Sequence, residues 1–393
     1  MAHIAWLGKK SPFCGNVTYG LSTTEALRDR GHQTSFIHFD NPGSPGSTTS
    51  LVANDPDVSL PYLVKSQVYT IPSPRAQREL RESLERLQPD LVHASLTLSP
   101  LDFRLPDLCQ QLRVPLVATF HPAFDAGLRN LTAGTQQLTY QLYAPSLARY
   151  DRVIVFSELQ ADVLARLGVR EDRLAVIPNG VDPTRWAPSS PQPPRRSSTS
   201  PSCRQQVRNR LGDERIFLYM GRISTEKNVE ALLKGWRLVN PTGCKLVIVG
   251  DGSLRTTLEN AHTCDNVLWW GYEADLDTRV ALLQEAEVFV LPSLVEGLSI
   301  ALLEAMASGC ACLATDAGAD GEVLADGAGI VLSTQGVTTQ LRTLLPVLRD
   351  QPVLTAELGR RARERVLERY TLSRNIDALE SLYSSLLAAP LAA

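Results

Sequence analysis

The residues whose types and spacing most invite chemistry lie in LPSLVEGLSIALLEAMASGCACLAT, 291–315. A strand ends near Pro292, a loop carries Glu296 and Gly297, and a helix is expected to begin near Leu298–Ser299 and to stop at Gly309, a residue suited to the C′ position. Glu304 then shares a helix face with Gly297, Ile300 and Ala301. At about 1.5 Å of rise per residue, the two carboxylates stand roughly 8–12 Å apart along one line, the length of a ligand. Glu304 is flanked by Ala301, Leu302, Leu303, Ala305 and Met306, and a carboxylate among such neighbours needs a hydrogen-bond donor. Ligand hydroxyls would provide one, and the free N–H groups of the helix start would attract phosphate. The plainer alternative is an amphipathic helix with one satisfied glutamate.

Three further places add to this. In LYMGRISTEKN, 218–228, Arg222 and Lys227 lie on a strand-to-helix loop, where two cations suit an anionic ligand; otherwise they are solvated surface charges. LGKKSPFCGNVTYG, 7–20, puts Gly15 and Asn16 in a loop directly after the first strand, where backbone N–H groups can approach a ligand, although it is not a GxGxxG. In TFHPAFDAG, 119–127, His121 follows the strand PLVAT; a lone histidine is more often structural.

These loops need a scaffold, and the pattern around them supplies one. HIAWL (3–7), QTSFIH (33–38), DLVHA (90–94), PLVAT (115–119), RVIVF (152–156) and RLAVI (173–177) read as buried parallel strands. RIFLYM (215–220), KLVIVG (245–250), NVLWW (266–270), EVFVL (287–291), CACLAT (310–315) and GIVL (329–332) repeat the scheme. Amphipathic helical stretches such as 19–30, 76–87 and 158–167 fall between them, so the expectation is doubly wound α/β, twice over. The 393 residues favour two domains. The expected division is 1–182, a linker 183–213, a second domain 214–368 and a final helical segment 369–393 that folds back onto the first domain.

Composition narrows the class. At 44% hydrophobic and 21% charged the chain is globular, and a net charge of −3 gives no overall attraction to nucleic acid. The linker, rich in Pro and Ser, carries six arginines against one aspartate and is the one basic island. It reads as a solvated tether, or alternatively as a contact for anionic lipid headgroups. No run approaches the 18 apolar residues of a membrane span, and MAHIAWLGKK reads as a strand rather than a leader. Seven scattered cysteines without a CxxC pair suggest reduced thiols in a cytosolic compartment. DPD (55–57) and DLD (275–277) resemble metal-binding Asp-x-Asp but sit in loop patterns, and are read as solvated or capping acids, so no metal site is expected.

Taken together, the motifs resemble the family-four retaining glycosyltransferases, whose GT-B fold has two Rossmann-like domains facing a cleft. EGLSIALLE followed by EAMASG meets the family's Glu-x7-Glu pattern, and GRISTEKN meets its phosphate-binding element. IPNGVD (177–182), VGDG (249–252) and WGY (270–272) follow in the family's order, so the resemblance spans nearly the whole chain. It implies a UDP-sugar donor as substrate, with no cofactor or metal. Arg222 and Lys227 would neutralise the diphosphate, and Glu304 would bind the ribose hydroxyls. Glu296 and the backbone of Gly297, Leu298 and Ser299 would hold the sugar. Gly271 and Tyr272 would hold the base, Gly15 would approach the phosphate or acceptor, and His121 would lie beside the donor sugar near the reacting carbon. His121, Arg222, Lys227 and Glu296 are thus the expected catalytic set.

The loops of the first half are similar to those of the cyanobacterial-type digalactosyldiacylglycerol synthases. That implies galactose transfer from UDP-galactose to monogalactosyldiacylglycerol by a peripheral protein on the cytoplasmic side of a membrane. Phe13, Asn16, Phe124 and Arg129 are candidate acceptor contacts, and Tyr19, Tyr140 and Tyr143 could join Phe13 and Phe124 along an apolar path or pack in the core. Two alternatives stay open: a soluble or cell-envelope acceptor, with a cytoplasmic enzyme, and a catalytically silent GT-B binding module.

Overall fold

The computed structural model describes residues 1–11, 14–40, 57–66, 69–125, 131–189 and 201–388. It divides into two compact units, one of residues 1–122, 138–178 and 372–393, the other of residues 123–137 and 179–371.

The first unit is built on strands β1 (His3–Leu7), β2 (Gln33–Phe39), β3 (Val58–Leu60), β6 (Leu91–Ser95), β7 (Leu116–Thr119), β8 (Arg152–Val155) and β9 (Leu174–Val176). All pair in parallel, in the order β3-β2-β1-β6-β7-β8-β9. Their near-continuous apolar runs follow from burial on both faces: Ile4, Ala5, Trp6, Leu91, Val117 and Ile154 are fully buried. A small antiparallel hairpin, β4 (Tyr62–Lys65) with β5 (Thr70–Pro72), stands apart from this sheet. The chain winds one way from β1 to β2 and the other way from β6 to β7, so the β1/β6 junction is the switch point where α/β sheets place ligands.

The last helix, Leu372–Ala388, belongs to this first unit. Tyr383 on it is buried and shares a 2.5 Å hydrogen bond with Nδ1 of His93 on β6. Arg30, just past the first helix, holds Glu380 at 2.7 Å. The second unit has β10 (Arg215–Met220), β11 (Cys244–Val249), β12 (Val267–Gly271), β13 (Ala286–Leu291), β14 (Ala311–Thr315) and β15 (Ile330–Leu332). They too are parallel, in the order β12-β11-β10-β13-β14-β15, with the switch at β10/β13.

The expectation of two doubly wound parallel-sheet domains thus holds, and every strand read from an apolar run is present within a residue or two. Three short strands were not foreseen. β3, β4 and β5 are three or four residues long, and the exposed Leu63, Val64, Tyr69 and Ile71 give their hairpin no buried run to read. In the segment read as linker, 183–186 forms a turn, 190–200 lies outside the described residues, and Pro201–Leu211 is a helix that packs on the helix Leu276–Glu285. All seven cysteines are free thiols, four of them buried.

Candidate active site

In the second unit the carboxyl ends of β10, β11, β13 and β14 converge on one loop. The loop leaves β13 at Pro292 and runs to Ser299, whose side chain caps the helix Ile300–Ala307 by accepting from the Leu302 N–H at 3.3 Å. That helix ends at Ser308, and Gly309 follows with a left-handed φ of +82°, as its sequence position suggested.

The loop's carbonyls are turned into the scaffold. The oxygen of Pro292 accepts from Asn228 Nδ2 at 3.2 Å and that of Ser293 from Thr315 Oγ1 at 2.6 Å. The carbonyls of Glu296 and Gly297 each accept at 2.8 Å, from the N–H groups of Phe124 and Ala319. The carbonyl of Leu298 accepts from Asn179 Nδ2 at 3.1 Å. The amides of Gly297 and Leu298 have no acceptor among the described residues. A loop whose carbonyls are spent and whose amides are open, at a helix start, offers donors to ligand oxygens.

One amide expected to take part does not. Ser299 N–H donates to Asp320 Oδ1 at 2.9 Å, so its hydrogen is committed inside the protein. Asp320 is fully buried, its Oδ2 has no hydrogen-bond partner among the described residues, and burial, with Glu296 nearby, holds its carboxyl well above the usual carboxylate range. The approach is tight because Gly318 adopts φ +57°, and a Cβ there would fall 2.1 Å from the carbonyl oxygen of Glu296.

The charged residues meet here. Glu296 Oε1 accepts from Ser293 Oγ at 2.7 Å and pairs with Lys227 Nζ. Lys227 comes from the loop after β10, which is pinned by Gly221 N–H to Val249 O at 3.0 Å and Ile223 N–H to Asp251 O at 2.9 Å. Tyr219 Oη, buried, donates to Arg222 O at 2.6 Å and fixes where the arginine leaves the backbone. The Arg222 guanidinium is half-exposed and stands 3.6 Å from Glu226. Glu304 is buried, and the donor that sequence reasoning assigned to ligand hydroxyls comes first from Arg279, Nη2 to Oε2 at 2.8 Å. Burial still raises the Glu304 carboxyl above its ordinary range, with Arg279 opposing.

The remaining second-unit residues are placed as follows. Gly271 ends β12 with φ +96° and accepts from Gly250 N–H at 2.8 Å, and Tyr272 beyond it is exposed. Phe124, expected along an acceptor path, is buried and its backbone pairs with that of Glu296. Asp275 of DLD caps its helix by accepting from Thr278 N–H at 2.8 Å.

In the first unit the carboxyl ends of β1, β6 and β7 carry the second cluster. Gly15 begins the helix Gly15–Asp29, and a Cβ there would meet nothing within 4 Å, so no packing demands the glycine. His121 follows β7, half-buried between Tyr19 at 5.1 Å and Phe156 at 5.2 Å. Its Nε2 lies 2.7 Å from Ser95 Oγ on β6, and Ser95 reaches Asn16 Oδ1 at 2.9 Å. Burial, assisted by Lys9, pushes His121 down to about 3, so the ring is neutral. Tyr19, Tyr140 and Tyr143 are buried, with hydroxyls turned inward to Thr119, Pro122 O and Asp102. Phe13 and Arg129 lie outside the described residues.

Sequence reasoning missed Asp320, Arg279, Ser293 and Ser95. Only their positions at strand ends or facing a buried carboxylate could have signalled them, and those appear once the sheets are assembled.

Comparison with known proteins follows these two halves. The family model described as Glycosyltransferase Family 4 matches residues 15–185, and that described as Glycosyl transferases group 1 matches residues 204–365. The putative glycosyltransferase EpsD of Bacillus subtilis is 25% identical over 363 residues, 85% of this chain and 88% of its own. The phosphatidyl-myo-inositol mannosyltransferase of Mycolicibacterium smegmatis is 27% identical over 384 residues, 92% of this chain and 89% of its own. Among solved structures, HepE of Anabaena in complex with UDP-glucose superposes with a TM-score of 0.76 over 98% of this chain and 100% of its own, at 18% identity.

Proposed function

We propose a reaction for this chain, which belongs to the family-four, group 1 glycosyltransferases of GT-B fold: it transfers galactose from UDP-galactose, with retention, to a glycolipid such as monogalactosyldiacylglycerol. The observation that carries the donor side is the 292–299 loop, with carbonyls tied back, open amides at Gly297 and Leu298, and Lys227 against Glu296. Cations beside a helix N-terminus stabilise a departing diphosphate, and a preorganised setting makes each worth more than in water. Glu304, held by Arg279 through one oxygen, keeps the other for a ribose hydroxyl. Arg222 and Lys227 neutralise the phosphates, Glu296 and the loop amides grip the hexose, and the 271–272 turn takes the base. The glutamates grip hydroxyls; they do not act as the acid and nucleophile of a glycosidase. No metal enters the scheme.

A lipid acceptor is supported by the helix Leu131–Leu147. It has no charged residue, and Leu131, Leu138 and Leu142 are exposed to 92, 65 and 63%. Single exposed leucines are ordinary, but three on an uncharged helix suit a surface that lies on lipid. The mannosyltransferase relative is named for a lipid acceptor. No helix among the described residues is long and apolar enough to cross a membrane. The attachment we propose is peripheral and at the cytoplasmic face. Incubating the chain with radiolabelled UDP-galactose, UDP-glucose and other UDP-sugars in total lipid extract tests the reading. Label in a digalactolipid from UDP-galactose alone supports it. Label only in water-soluble product indicates a soluble or cell-envelope acceptor, and no transfer from any donor indicates a binding module.

A further inference from the structure

His121 is one of six histidines, and its ring has two nitrogens with different work to do. Which of them carries the hydrogen follows from the partners around it. The carbonyl of Leu96 can only accept, so the Asn16 group 3.1 Å from it is the Nδ2 amine. Asn16 therefore turns its carbonyl oxygen, Oδ1, toward Ser95. Ser95 has one hydroxyl hydrogen, and it is donated to that oxygen at 2.9 Å. The Ser95 oxygen, 2.7 Å from His121 Nε2, is left to accept, so Nε2 carries the hydrogen. In a neutral ring Nδ1 is then a bare lone pair, and Nδ1 has no partner among the described residues.

We infer that Asn16 and Ser95 are positioning residues: they fix His121 as its Nε2–H tautomer, so that Nδ1 is offered as a hydrogen-bond acceptor to a ligand hydroxyl. The surroundings are built to hold one arrangement. Ser95 is fully buried on β6, and the ring edge of Tyr19 and the ring of Phe156 stand on either side of the imidazole. Tyr19 is itself held through Thr119 Oγ1, 3.3 Å away, which also meets His93 Nε2 at 2.7 Å. An acceptor at Nδ1 favours a neutral sugar, whose hydroxyl donates, over a sugar acid, whose carboxylate would set lone pair against lone pair. That selectivity rests on the sugar-transfer reading; the tautomer does not.

The test uses the full chain labelled with 15N-histidine, with His121→Gln identifying the His121 signals. The expected spectrum has the proton on Nε2 and Nδ1 unprotonated. Ser95→Ala should average the two tautomers and lower kcat about 10-fold, with a smaller change in KM for the donor. Ser95→Thr keeps the hydroxyl between Asn16 and His121 and should keep the tautomer. A proton on Nδ1 in the wild type, or an unchanged tautomer in Ser95→Ala, overturns the inference. A lost tautomer with unchanged kcat overturns its role in turnover. If the wild type transfers no sugar at all, the function reading fails while the spectrum still decides the tautomer.

Discussion

Arg279 donates through Nη2 to Oε2 of Glu304 at 2.8 Å, from the helix Leu276–Glu285 onto the helix Ile300–Ala307. The pair is nearly enclosed, with side-chain exposures of 14 and 3%. Removing one partner of a buried pair leaves an uncompensated charge, so Arg279→Ala should lower the unfolding free energy by about 3–5 kcal/mol. Replacing both, Arg279→Met with Glu304→Leu, should recover most of that loss while nucleotide binding stays lost. Denaturant titration and calorimetry with UDP separate the two effects. UDP affinity equal to the wild type in the double variant would remove Glu304 from the donor site.

Lys227 and Arg222 are assigned to the departing diphosphate. Lys227→Ala and Arg222→Ala should each lower kcat by about 10²–10³-fold, the usual loss for one preorganised transition-state contact. Lys227→Ala should also free Glu296, its ion-pair partner, and raise donor KM. Transfer that survives both substitutions would displace the phosphate role from this loop.

Gly318→Ala brings a Cβ against the Glu296 carbonyl, 2.1 Å away, in a left-handed conformation that alanine disfavours. The backbone that carries Glu296, Gly297 and Leu298 must shift. Donor kcat/KM should fall at least about 10-fold, because a small misplacement of positioning groups is costly. Wild-type kinetics would show that the loop tolerates displacement.

Two buried groups give stability opposite dependences on pH. His93 is pushed down to about 3, by burial first and by His121 second. Unfolded, it binds a proton near 6.5, so its contribution is complete above pH 6.5 and is lost as pH falls toward 3, on the order of 4 kcal/mol in all. Asp102 is pushed up to about 6 by burial, so its contribution is complete below pH 3.8 and is lost as pH rises through 6, on the order of 3 kcal/mol. Unfolding measured from pH 4 to 7 should be less acid-sensitive in His93→Gln and less alkali-sensitive in Asp102→Asn. Parallel curves for wild type and variant would contradict the assignment.

The residues proposed for the donor side were legible as candidates because their motif is local: Glu296 and Glu304 lie on one loop and helix, Arg222 and Lys227 on another. The partners that set their state were not. Asp320 reads in GADGEV as one acid among several, and only the fold puts it under the Ser299 amide. Arg279 sits in an ordinary amphipathic helix, and nothing in its neighbours announces Glu304. The strands were legible because both faces are buried; β4 and β5, with exposed side chains, lacked that signal. Asn16 was read as an acceptor contact; the structure shows it linked to His121 through Ser95.

The hydrogen bond between His93 and Tyr383 joins residues 290 positions apart. During synthesis, His93 and its sheet leave the ribosome long before the helix that covers them. At about 5–20 residues per second, the first unit waits roughly 15–60 s for its last helix. Through that interval the face of β6 that receives Tyr383 is bare, and the second unit is translated in the meantime. The sheet that carries His93 is thus made early and completed late, after the whole of the second unit has been translated.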